Sequence, residues 1–99
     1  MLGLEWTQAA RADLLAIIDY ISDDDPDAAQ RLYDEIERKA LKLREHPRLY
    51  KPGRVQGTRE MVVRPNYIVV YMEGASTLLI LRVLHAAQCW PLPQDHRVP

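Results

Sequence analysis

Cysteine, phenylalanine and glycine are scarce in this chain: Cys89 is its one cysteine, phenylalanine is absent, and only four glycines occur in 99 residues. A single cysteine excludes an intrachain disulfide framework and a cysteine-built zinc cluster, which fits a reducing compartment. The four glycines form no phosphate-cradling run, and the metal spacing H-E-x-x-H is missing, so neither cofactor nor metal is expected. Long apolar stretches are missing too. The run from Leu78 to Leu81 falls far short of the ~20 residues a membrane span needs. Met1 to Trp6 has no basic and then apolar leader, and the expectation is a cytoplasmic protein with no membrane partner.

Net charge is nearly absent as well, at −1, which argues against a generic nucleic-acid binder. The average conceals an asymmetry. Residues 1–49 carry 7 Lys/Arg against 11 Asp/Glu, a balance of −4, while residues 50–99 carry 6 against 3, a balance of +3. A basic half can face a polyanion or an acidic protein segment, or it can be a solvated surface.

What is present is enough for one domain. Hydrophobic residues make up 47% and charged residues 27%, a composition that buries a core rather than staying disordered. Leu2, Leu4 and Trp6 alternate with Gly3 and Glu5, the period of a short strand. Thr7 can then cap a helix in which Leu14, Ile17, Ile18 and Ile21 form one apolar stripe, with Arg11, Asp13 and Asp19 on the remaining surface. The run Ser22-Asp23-Asp24-Asp25-Pro26 ends this helix and starts the next, because Asp25 suits the N-cap and Pro26 the first helical position. That reading makes the aspartates a cap rather than a metal site.

The second helix repeats the spacing with Ala29, Leu32, Ile36, Ala40 and Leu43, and places Glu35–Lys39 and Asp34–Arg38 as ion pairs one turn apart. His46, before Pro47, is expected at its end, interacting with the last carbonyls. Residues 47–57 read as a loop. Three runs rich in Val, Ile, Leu and Tyr follow, 58–63, 67–72 and 77–84, joined by short turns as an antiparallel meander. The fold class is therefore α+β, in the order β-α-α-β-β-β, with a helical hairpin on a small, mainly antiparallel sheet. Residues 1–91 form the domain, and 92–99, with Pro93 and Pro99, read as a flexible tail.

This order, the phrase Gly57-Thr58-Arg59-Glu60 leading into Pro65 to Tyr71, and the ending Leu81 to Gln88 followed by Trp90-Pro91 resemble the RelE/ParE superfamily of toxins. The resemblance spans residues 2–91. It implies two helices on one face of the sheet and a cognate antitoxin with a segment that folds on binding, in a toxin–antitoxin hetero-oligomer. It also implies one of two targets: DNA gyrase for the ParE type, or mRNA on the ribosome for the endoribonuclease types.

Metal-independent RNA cleavage needs a base, an acid and cations for the developing phosphorane. The RelE-type branch carries an Arg where this chain has Ile68. The YafQ-type branch carries a His, a Pro-Asp step and a later His, and here Val62, Pro65-Asn66 and His85-Ala86 stand at those places. Only His85 matches, and Asn66 cannot act as a base at neutral pH. The expectation is ParE-like gyrase poisoning. The alternatives are a ribonuclease using His85 with Arg82, and a weakly active remnant that mainly binds its antitoxin.

For His85, catalysis and a surface or structural histidine both remain open. Arg82 suits a phosphate, an antitoxin carboxylate or a solvated sheet face. Lys51, Arg54, Arg59 and Arg64 would gather around one loop and the next strand, for a target or antitoxin or merely for solvent. Tyr67 and Tyr71 share a strand face, so at least one belongs to the core. Trp90 closes the core edge or offers a docking surface, and Cys89 has no base beside it in sequence other than His85, four residues earlier, so a thiol nucleophile is not expected.

Overall fold

The computed structural model describes residues 1–85. Cys89, Trp90 and the 92–99 tail lie outside the described residues, and so do the expectations attached to them. The elements are β1 (Gly3–Trp6), α1 (Gln8–Ser22), α2 (Pro26–Leu43), β2 (Arg59–Val63), β3 (Tyr67–Glu73) and β4 (Thr77–His85). The four strands form one sheet in the order β1-β4-β3-β2. β1 runs parallel to β4, and the other two pairings are antiparallel. The expected α+β order is the one observed.

The helix boundaries have the expected chemistry. The Thr7 hydroxyl accepts the Ala10 N–H at 3.0 Å, and the Asp25 carboxylate accepts the Ala28 N–H at 3.1 Å. The Thr7 hydroxyl also donates to the Leu81 carbonyl at 2.8 Å, and the Thr7 N–H donates to Ile80. One residue thus starts α1 and joins the end of β1 to the middle of β4.

The hairpin covers one sheet face. Leu14 from α1 and Leu32, Ile36 and Leu43 from α2 meet Met61, Val63, Val69, Tyr71, Leu78, Ile80 and Val83 from the sheet. Each fully buried Leu, Ile or Val side chain contributes about 1.5–3 kcal/mol relative to exposure. Ile68, Val70 and Leu84 point to the opposite face and form a second, smaller cluster.

A register shift in the β3–β4 pairing matches Val70 with Arg82 but Tyr71 with Ile80, leaving Leu81 as an extra residue. Alternation therefore reverses there. Leu78 and Ile80 face the helices before the bulge, and Val83 faces them after it.

α2 ends at Leu43, and at that end the His46 N–H donates to the Lys42 carbonyl at 3.3 Å while the Arg44 Nε donates to Leu41. One local expectation is corrected. Glu35 pairs with Lys39 at 3.1 Å, but Asp34 accepts from the Gln30 amide instead of pairing with Arg38. A neutral amide one turn earlier reaches Asp34 at 3.0 Å and leaves the longer Arg38 in solvent.

Candidate functional site

β1 is shorter than β4. Its last residue, Trp6, is in register with Ile80, so β4 continues past it and α1 borders the uncovered edge. Asp13 lies there. Its carboxylate accepts from Arg82 Nε at 2.7 Å, from a second Arg82 nitrogen at 3.0 Å, and from the Val83 N–H at 3.0 Å. The ion pair is largely covered, with side chains 12% and 17% exposed. A two-pronged guanidinium–carboxylate contact of this kind holds both groups in one geometry and neutralises the charge that would otherwise face a phosphate.

His85 ends β4 two residues beyond Val83. Its ring meets Tyr67 edge to face, with centroids 5.7 Å apart. Both line a shallow groove of about 340 Å³ with Ala16, Ile17, Tyr20 and Ile21 of α1. The groove is mostly apolar. Its polar groups are the imidazole and the two phenols.

The other cations expected at the site are separated. Arg54 and Glu60 pair at 3.5 Å, and the Arg54 N–H donates to the same carboxylate. Arg59 donates to the Tyr50 carbonyl. Lys51 is exposed beside Glu60, and its carbonyl accepts the Glu60 N–H. Arg64 lies at the far end of β2, about 17 Å along a five-residue strand from these groups. It sits in the left-handed region at φ 53°, unusual for a residue with a Cβ, and pairs with Glu35 at 2.8 Å. Lys39 and Arg64 together hold the Glu35 carboxyl below its ordinary 4.5, against the opposing effect of partial burial.

Of the two tyrosines, Tyr71 is core. It is fully buried, its hydroxyl donates to the Pro47 carbonyl at 2.9 Å, and burial pushes its phenol above the ordinary 10.0. Tyr67 is half-buried at the groove. Among the described residues no three His, Cys, Asp or Glu side chains converge as a metal site, and no helix is long and apolar enough to cross a membrane.

Sequence reasoning missed Asp13. It stands on the border of the α1 stripe, one residue before Leu14, where periodicity cannot separate a solvated acid from one turned toward a strand edge. The acids Glu35, Glu60 and Glu73 were missed as partners for Arg64, Arg54 and Arg48 because the pattern along one element does not show which cation another segment brings near it.

The model of the ParE toxin of type II toxin–antitoxin systems, parDE, matches residues 4–90. The chain belongs to the ParE toxin family. Toxin RelE2 of Caulobacter vibrioides is 39% identical over 90 residues, covering 89% of this chain and 99% of that protein. Y4kP of Sinorhizobium fredii is 38% identical over 88 residues, covering 89% and 92%. A solved structure of the chromosomal ParDE TA system from P. aeruginosa superposes with a TM-score of 0.77 at 25% identity, over 86% of this ParE-family chain and 96% of that one. YafQ from E. coli shares the fold at a TM-score of 0.61 and 16% identity, over 88% and 96%. This ParE-family protein is thus the toxin of a type II toxin–antitoxin system within the RelE/ParE superfamily.

Proposed function

We propose that this toxin stops growth in the cytoplasm by binding and poisoning DNA gyrase, without catalysing a reaction itself, and that a cognate antitoxin segment folding onto it holds it neutral. The observation that carries this reading is the Asp13–Arg82 contact. The arginine best placed on β4 to stabilise a phosphorane has its charge matched by a carboxylate on α1, and that carboxylate is also tied to the Val83 backbone. Phosphoryl chemistry needs cations whose charge is directed at the substrate. Ile68 is buried and Asn66 sits in an exposed turn, so the residues where related nucleases carry Arg and Asp supply neither charge nor a base.

A second reading keeps His85 as the acid of a ribosome-dependent endoribonuclease. It is favoured by one observation, the exposed imidazole at the mouth of the α1 groove. Gyrase supercoiling and cleavage of ribosome-bound mRNA, assayed with the purified chain, separate the two. We expect inhibited supercoiling, intact mRNA, and growth arrest unchanged in His85→Ala. Positioned proton transfer is worth ~100- to ~10,000-fold in rate. Codon-specific cleavage that disappears in His85→Ala would therefore transfer the function to the second reading.

A further inference from the structure

α1 is apolar on more than its core stripe. Leu15 and Tyr20 on its outer surface are 58% and 79% exposed, and Ala12 and Ala16 are exposed beside them. Helical spacing arranges these positions in rows. Arg11, Leu15 and Asp19 follow one another at four-residue steps and form a single ridge, cationic at one end, apolar in the middle and anionic at the other. The adjacent row carries Ala12 and Ala16, whose small side chains leave a groove parallel to that ridge.

Neither charge of the ridge has an ion-pair partner among the described residues. Arg11 lies over the Trp6 ring, 5.8 Å from its centroid, and the Asp19 carboxylate stands in solvent. The helix also has no acidic residue in its first turn and no basic residue in its last, so nothing in its own end turns compensates its dipole.

From this arrangement we infer that the outer face of α1 is a two-fold interface with a second copy of the same chain, the two helices antiparallel. The ridge is complementary to itself under that operation. A two-fold axis near Leu15 sets Leu15 of one protomer over the Ala12–Ala16 groove of its partner and brings each Arg11 to the other protomer's Asp19. The antiparallel arrangement also lays each helix's acidic C-terminal end, with Asp23, beside the other's N-terminus, where negative charge is favoured. A partner of any other sequence would have to supply this order of charges. A second copy carries it already.

Charge reversal on the full-length chain, made by cell-free synthesis and followed by sedimentation velocity from 1 to 100 µM, tests the interface. The expected result is a monomer–dimer equilibrium within about that range. Arg11→Glu and Asp19→Arg, each placing like charges opposite one another twice, should weaken it at least about tenfold. The double variant, with both reversals, should restore it. Positions 11 and 19 are about 12 Å apart along one helix, too far to pair within a chain, so restoration can arise only between chains. Circular dichroism shows whether each variant is folded, and both positions are exposed. A wild-type chain that is monomeric at 100 µM overturns the inference, as does a dimer indifferent to the reversals. So does a monomer whose reversals abolish binding of the protein encoded by the neighbouring reading frame, because the face then belongs to that partner.

Discussion

Asp13 shows how much one side chain can carry. Three hydrogen bonds converge on its carboxylate, two from the Arg82 guanidinium and one from the Val83 backbone, in a largely covered position. Removing it takes two hydrogen bonds and the facing carboxylate from the Arg82 guanidinium and the acceptor from the Val83 N–H, and breaking a largely covered pair from one side costs more than the modest net value of the pair. Asp13→Ala should lower the unfolding free energy by about 2–4 kcal/mol, read from the urea midpoint at constant slope. Asp13→Asn, which can still accept from Val83, should lose less. Equal losses in the two variants would mean that the charge, and not the backbone contact, holds the edge.

At the scale of elements, the decisive devices are caps and a bulge. Thr7 and Asp25 both accept an N–H three residues on, but their surroundings differ. Asp25 works at an exposed helix start, whereas Thr7 also gives its proton to the Leu81 carbonyl beside the bulge. Asp25→Ala should cost about 1 kcal/mol, the usual value of an N-cap. Thr7→Ala should cost about 2 kcal/mol, because it also leaves a part-buried carbonyl unsatisfied. Thermal unfolding of the two variants side by side checks the order. A smaller loss for Thr7→Ala would show that the β1 end is held by its backbone pairing alone.

Across the whole molecule, the acidic first half and the basic second half meet. Arg64 is matched by Glu35 of α2, while Arg54 and Arg48 are matched by Glu60 and Glu73 of the sheet. Of the second half's cations, Arg64 and Arg82 are matched by acids of the first half, Glu35 and Asp13, and Arg54 by Glu60 of its own half, so charge is held in local pairs rather than concentrated in one cationic field, and the total stays at −1. The chain should elute from heparin below about 0.15 M salt, where exposed charges more than ~8 Å apart are already screened. The double variant Glu35→Gln, Glu60→Gln, which uncovers Arg64 and Arg54, should bind heparin at higher salt. Retention of the unaltered chain well above that concentration would revive the polyanion-facing reading of these arginines.

Periodicity, caps and turn residues were enough to determine the order of elements, both helix starts and the core residues of α2, since each depends on neighbours within a few positions of the chain. That at least one of Tyr67 and Tyr71 is a core residue was legible from alternation along one strand, but that it is Tyr71 was not. The site was less legible. His85 and Arg82 could be singled out by residue type and by resemblance, but their surroundings could not, because a bulge at Leu81 and a β1 strand that stops at Trp6, opposite Ile80, decide which side chains meet α1. The end of β1 depends on pairings between residues some 70 positions apart and the bulge on the register of the β3–β4 hairpin, where a one-residue change exchanges the two faces of a strand. For that physical reason the residue types on β4 were written in the sequence, while the tertiary structure alone decided that Arg82 is held by Asp13 and that His85 opens onto the groove along α1.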